Sequence, residues 1–322
     1  MRSSLLFRLV FLFLTPPGLF SQPGDFNPPD TSYYLYFEPE IRILINQPKA
    51  LSLHPEKPLD LIIYALPNGN TIEQTFGKKT SDSLEWRYEI QHIGAQTRML
   101  REISTDKNII LVLLEAKEKS FPSWRRKFIN SGELINSLID SLRLRFKPFS
   151  PDIILTGHSG GGSFIFGFIN YHKSIPSCVR RISFLDSNYG YTHEEHYLKL
   201  LNWLNSSQFN FLSVIAYDDR EIELDGKKVV SPTGGTFRRT QDMKSDFQSA
   251  AWLNTVNDSV IEKTTSSNLG IELLIHLNPK NLILHTVLVE KNGFLHAMLS
   301  GTRYPTPFRF FGDRAYSSFI LP

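Results

Sequence analysis

The sequence predicts an α/β fold, a mostly parallel sheet with helices on both faces. Three observations predict it. Short, continuously apolar runs alternate with amphipathic segments from about residue 59 onward, which is the pattern of buried parallel strands joined by crossover helices. Apolar residues are 41% and charged residues 21% of 322, enough to build a core covered on both sides and too apolar for a disordered chain. Finally, one strand-like run passes through a glycine-flanked serine straight into a helix-like run.

The N-terminal segment reads as a targeting signal. Met1 to Ser21 carries Arg2, an apolar stretch from Leu5 to Leu14 broken only by Arg8, the breakers Pro16, Pro17 and Gly18, and a small residue at Ser21. This predicts a secretory signal peptide, residues 1–21, cleaved near Ser21, because the apolar stretch is too short to span ~30 Å of hydrocarbon. The mature chain is then secreted or periplasmic, with no stable membrane insertion after signal removal. Residues 22–35, with Pro23, Gly24, Pro28 and Pro29, read as a flexible lead-in. Residues 36–322 read as a single domain.

Within that domain, Tyr33 to Phe37 and Ile41 to Ile45 suit leading antiparallel edge strands. Leu59 to Leu66 reads as a strand stopped by Pro67-Asn68-Gly69-Asn70. Further strands are expected over Asn108 to Leu114, Asp152 to Thr156, Arg181 to Leu185 and Phe209 to Tyr217. Helical spacing marks Ile93 to Ile103, Leu134 to Leu144, Gly162 to Tyr171 and Glu194 to Leu204. The polar stretch from Asp225 to Asn268 reads as an insertion with a helix near Met243 to Leu253. Ile271 to Leu277 reads as a helix and Asn281 to Glu290 as the last strand.

Composition excludes several functions. Lys plus Arg is 35 and Asp plus Glu is 32, a net charge of +3, too balanced for a dedicated nucleic-acid binder. A single cysteine, Cys178, excludes a disulfide scaffold and a cysteine-rich zinc module. His193-Glu194-Glu195-His196 lacks the spacing of a zinc hydrolase motif. No metal and no cofactor are implied.

The chemistry concentrates in Ile153-Ile154-Leu155-Thr156-Gly157-His158-Ser159-Gly160-Gly161-Gly162. A strand, then Gly-x-Ser-x-Gly, then a helix holds a serine on a sharp turn above the sheet, where bulky residues two positions away would clash. The Gly160 N–H at the start of the following helix is placed to stabilise an oxyanion. A phosphate-cradling loop does not fit, because no Lys enters the first helical turn.

On these residues and on the order of elements, the chain resembles the α/β-hydrolase superfamily. The resemblance implies an eight-stranded, mostly parallel sheet with the nucleophile, Ser159, after the fifth strand. It implies an acid after the seventh strand and a histidine after the eighth. With Asn281 to Glu290 as the eighth strand, His296 is the base, while His285 falls inside that strand as a core residue and His276 on the preceding helix. Asp219 fits the acid position through its Ala216-x-x-Asp219 spacing. Asp218 and Asp186, the latter at the end of the sixth strand, remain alternatives. The loop after the third strand supplies the second oxyanion donor, read as the Asn70 N–H, with Asn68 as a polar substrate contact. Trp124 and Arg125, opening a basic cluster after the fourth strand, and Asp186 are further candidate substrate contacts, and Tyr189 and Tyr191 are candidates to line a pocket.

The resulting expectation is an exported serine hydrolase that cleaves a carboxylic ester, or a similar acyl bond, of a small molecule or glycan through an acyl-enzyme. A carbohydrate-directed acyl esterase or a peptidase are alternatives on the same fold. A non-catalytic binding protein is the alternative outside the enzymes.

Overall fold

The computed structural model describes residues 29–49 and 53–322, so the expected signal segment lies outside the described residues. The strands are β1 (Asp30–Phe37), β2 (Ile41–Pro48), β3 (Leu59–Ala65), β4 (Asn108–Ala116), β5 (Asp152–His158), β6 (Val179–Leu185) and β7 (Phe211–Tyr217). A small separate hairpin follows, β8 (Glu223–Leu224) and β9 (Lys227–Lys228), and then β10 (Leu253–Asn257), β11 (Ile261–Ser266) and β12 (Ile271–His276).

The main sheet has ten strands in the order β1-β2-β4-β3-β5-β6-β7-β12-β11-β10. From β4 to β12 every neighbouring pair is parallel. With β12 counted as the eighth strand, the order is that of the α/β-hydrolase fold. The expected eight strands are extended by two, because the insertion contributes β11 and β10 as an antiparallel addition beyond β12.

Side chains alternate across the pleat, so each central strand feeds two cores. Leu61, Ile63, Leu155, Phe184 and Val214 face one layer, made by α3 (Phe121–Lys127), α4 (Ser131–Arg145), α5 (Gly162–Tyr171), α6 (Leu198–Ser206) and α7 (Thr236–Phe247). Ile62, Tyr64, Ile154, Leu185 and Ile215 face the other. That layer is made by α1 (Ile72–Phe76), α2 (Ile93–Ile103), α8 (Phe294–Leu299) and the C-terminal segment around Tyr316. This two-sided burial is why the central strands read as mostly apolar runs.

The structure departs from the sequence expectations in four places. β1 starts at Asp30, so the lead-in is shorter than 22–35. The insertion helix is α7, centred upstream of Met243 to Leu253. Ile271–His276 is a strand, not a helix. Asn281 to Glu290 is a loop followed by helical turns, with Leu288 N–H bonded to Leu284 O at 2.9 Å and Glu290 N–H to Thr286 O at 3.1 Å.

Glu272 places a charged side chain inside β12. Its carboxylate is 3% exposed inside the strand and binds His296 Nε2 at 2.6 Å and Lys263 Nζ at 2.6 Å. Burial alone would raise its pKa, but the bonds from His296 and Lys263 outweigh it and hold the group down at about 2. A depressed folded-state pKa contributes stability above the unfolded value, and that stability is lost as pH falls through the folded one. We expect about 3 kcal/mol to be lost between about pH 4.5 and 2, and Glu272→Gln to flatten that part of the curve. Denaturant midpoints measured from pH 7 to 2 check it; parallel curves for both proteins would refute it.

Candidate active site

The turn after β5 is built by close backbone approaches. Ser159 has φ +53°, the left-handed region that L-residues avoid. Such strain persists only where surrounding structure imposes it, and it is the geometry of a nucleophile elbow. A Cβ on Gly161 would stand 2.1 Å from Ala65 O, and one on Gly160 would stand 1.9 Å from Asn68 Oδ1. The backbone carbonyl beside Gly161 leaves no room for a methyl group, and a methyl at Gly160 would require the Asn68 side chain to move. The Gly161 contact locks the elbow onto the end of β3, and the Gly160 contact brings the loop after β3 against the elbow N–H groups. That loop is itself pinned. Gly69 N–H bonds Lys119 O at 2.8 Å, and Thr71 caps α1 reciprocally with Gln74.

His285 lies beside this elbow. Its Nδ1 is hydrogen-bonded to Asp186 Oδ2. Its ring centroid is 4.4 Å from that of His158, the residue before Ser159, and its backbone carbonyl accepts from His158 Nε2 at 3.0 Å. Burial pushes the His158 pKa well down, so this imidazole is neutral and serves as a donor and packing surface for the His285 loop. Asp186 is fully buried at the end of β6, with φ +47°. It accepts from the Thr236 hydroxyl as well as from His285.

Asp219 ends in the same place from β7 but takes a different partner. Its Oδ2 accepts the Thr236 N–H at 2.9 Å, and its Oδ1 is buried without a partner. Burial, then the neighbouring Asp186, push its pKa up to about 6. Asp218 turns away into an ion pair with Arg220 at 2.7 Å. Of the three carboxylates the sequence offered, Asp186 is the one that meets an imidazole.

His296 is not brought to this site. It sits on α8, paired with Glu272, and Glu272 is in register with Ser213 near the start of β7. Through the ladder His158–Leu185–Ile215–Leu274, the level of Ser159 lies about three residues farther along β12 than Glu272, roughly 10 Å at ~3.3 Å per residue. His296 Nε2 is committed to the Glu272 carboxylate inside the sheet, not to Ser159. His276 ends β12 at the same sheet edge, but its ring is buried against Phe311 with centroids 4.1 Å apart and its Nδ1 accepts the Asn278 N–H at 3.0 Å. The sequence expectation for 271–290 has strand and helix exchanged, which places the loop after the eighth strand one element downstream of where the structure has it.

The remaining candidates divide. Trp124 is 2% exposed and donates Nε1–H to Pro39 O at 2.9 Å, so it is a core residue rather than a substrate contact. Arg125 packs on α5 and donates to Ser163 O at 2.9 Å. Asn68, not Asn70, is the loop residue seen against Gly160. Tyr191 is buried and bonded to Asp246 at 2.6 Å, whereas Tyr189 is 41% exposed. Leu282 and Ile283, exposed ahead of His285, were hidden by the strand reading, as was Thr236 by its place in a polar insertion. A cavity of about 740 Å³ opens at the opposite sheet end among Asp60, Asp152, Arg180 and Arg181. Its charges are engaged: Lys107 with Asp60, Arg180 with Asp152, and Arg181 with the Ala297 and Ser300 carbonyls at the end of α8. Among the described residues there is no cluster able to hold a metal ion.

No family model and no curated protein matches the chain. Among solved structures it is similar to the siderophore hydrolase EstA from Aspergillus nidulans, at 11% identity and a TM-score of 0.48, over 89% of this chain and 100% of that one. It is similar to a feruloyl esterase module from Clostridium thermocellum complexed with sinapinate, at 10% identity and a TM-score of 0.46, over 87% and 93%. It is also similar to a thermostable esterase, at 11% identity and a TM-score of 0.46, over 78% of this chain; the match spans only 56% of that esterase.

Proposed function

We propose that the protein is a serine hydrolase that cleaves a carboxylic ester, or a similar acyl bond, through Ser159, His285 and Asp186. The observation that carries this reading is the His285–Asp186 pair beside a serine held at positive φ. With Nδ1 engaged by Asp186, His285 has Nε2 for the serine proton. Ser159 Oγ attacks the carbonyl carbon as His285 takes its proton, and Asp186 favours the imidazolium formed. The oxyanion is held by the Gly160 N–H and by donors of the loop at Asn68. The tetrahedral intermediate collapses, His285 protonates the departing alcohol, and an acyl-enzyme remains. Water, deprotonated by His285, releases the acid and restores Ser159. None of these steps calls for a metal or cofactor.

Among the described residues no hydrogen bond joins the Ser159 hydroxyl to an imidazole, and this contact often closes only with substrate in place. The exposed Tyr189, Leu282 and Ile283 suit a small-molecule or glycan ester with an apolar part. The signal-like first 21 residues support action outside the cytoplasm, and no helix among the described residues is long and apolar enough to cross a membrane.

A fluorophosphonate probe tests the reading directly. We expect one equivalent to attach, to map to the peptide containing Ser159, and to stop turnover of short-chain aryl esters. Attachment elsewhere, or an inert protein that turns over no ester in a chain-length series, would refute it.

A further inference from the structure

Two carboxylates converge on the end of the sheet where a triad needs one. Asp186 and Asp219 leave adjacent strands, β6 and β7, and are 0% and 2% exposed. Thr236, the first residue of α7, bridges them: its hydroxyl donates to Asp186 Oδ1 and its N–H donates to Asp219 Oδ2. The bridge is tight, because a Cβ on Gly235 would stand 2.6 Å from both Asp219 oxygens. The free, buried Asp219 Oδ1 has no structural partner. A carboxylate kept only to hold α7 would not need to bury a second oxygen unsatisfied beside another carboxylate, which costs stability.

We propose that Asp219 is a positioning residue for the reaction: through Thr236 it fixes the Asp186 carboxylate that holds His285, and its charge adds to the field favouring the imidazolium formed as Ser159 attacks. This rests on the triad reading above. Asp219 is a second negative charge beside the working pair, not a member of it.

The groups facing Asp219 are few. From the end of β6 come Asp186 and Tyr189; from its own strand and turn come Tyr217, Asp218 and Arg220. α7 presents only the Thr236 N–H and hydroxyl, its Arg238 being turned to Gly234 O at 2.9 Å. The balance of nearby charge is negative, and burial and Asp186 push the Asp219 pKa up to about 6. A folded-state pKa above the unfolded value means the fold loses stability as pH rises through about 6. The ionised form is therefore tolerated at a cost, in the pH range where a neutral imidazole base is needed.

Asp219→Asn keeps an acceptor for the Thr236 N–H and removes the charge. For a short-chain aryl ester we expect kcat to fall about tenfold with KM unchanged, the worth of one charge at several ångströms in a mostly buried setting. Near pH 6 kcat/KM should fall more steeply in the wild type, where Asp219 also takes up a proton, than in the variant. The variant should melt higher at pH 7, whereas loss of a purely structural group would lower the melting temperature. Thr236→Val, which keeps the N–H and breaks the bridge, should lower kcat but retain the steep limb.

Unchanged kcat and slope in Asp219→Asn, with Asp186→Asn inactive, would overturn this inference and leave the triad standing. Asp219→Asn as inactive as Ser159→Ala, with Asp186→Asn active, would overturn both, since Asp219 would then be the acid. If Asp219→Asn does not fold, Thr236→Val decides: wild-type kcat there overturns the proposal.

Discussion

Replacing His285 with glutamine is expected to lower kcat for an aryl ester by about 10⁴-fold or more, approaching the loss in Ser159→Ala, because the triad acts as a unit. His296→Gln should leave kcat within about threefold of wild type, since His296 Nε2 is committed to Glu272. Its effect should fall on stability instead. His296 is one of the two groups compensating the buried Glu272 carboxylate, and removing one partner of a buried pair costs about 3 kcal/mol or more. Steady-state kinetics and denaturant unfolding on the same two variants separate the roles. An active His285→Gln enzyme with an inactive, well-folded His296→Gln would reverse the assignment.

Asp186→Asn should cost about 10⁴-fold in kcat while changing KM little. The reason is a tautomer. Asp186 accepts a hydrogen bond from His285 Nδ1, which leaves Nε2 free to take the serine proton. An asparagine can instead donate its amide to Nδ1, which fixes the proton on Nε2 and blocks the base. The carboxylate at Asp219 does not substitute, because its Oδ2 is committed to the Thr236 N–H. Hydroxide-assisted turnover should recover part of the loss at high pH. An Asp186→Asn enzyme with wild-type kcat would remove Asp186 from the mechanism.

Much of the architecture was legible because its physics is local. β3 to β7 each bury both faces, so each needs a mostly apolar run, and such runs are visible without coordinates. The elbow was legible because strand, Gly-x-Ser-x-Gly and helix must be contiguous to project one hydroxyl. Gly161 shows why: the 2.1 Å approach of Ala65 O would exclude any side chain.

The last strand was not legible, and the base proposed above was lost with it. Asn281 to Glu290 is rich in leucine and β-branched residues and reads as a strand by propensity. Yet Leu284, Leu288 and Val289 are buried from helical turns, against α2 and α8. Ile271–His276 carries a charge at Glu272 that argues against a buried strand. The charge is tolerated because Lys263, on the neighbouring β11, and His296, on α8, reach it. Tertiary partners overrode local preference in both segments.

The sequence by itself determined the layered α/β architecture, the serine and the turn that carries it, because contiguous residues encode each of these. Only the tertiary structure decided which imidazole and which carboxylate stand beside that serine. His285, Asp186, Thr236 and Asp219 arrive from four separate segments, and they meet because β6, β7 and β12 are parallel neighbours whose C-terminal ends open on one edge. No spacing along the chain records that edge; it is set by strand order and register, which are settled when the two cores close on either side of the sheet.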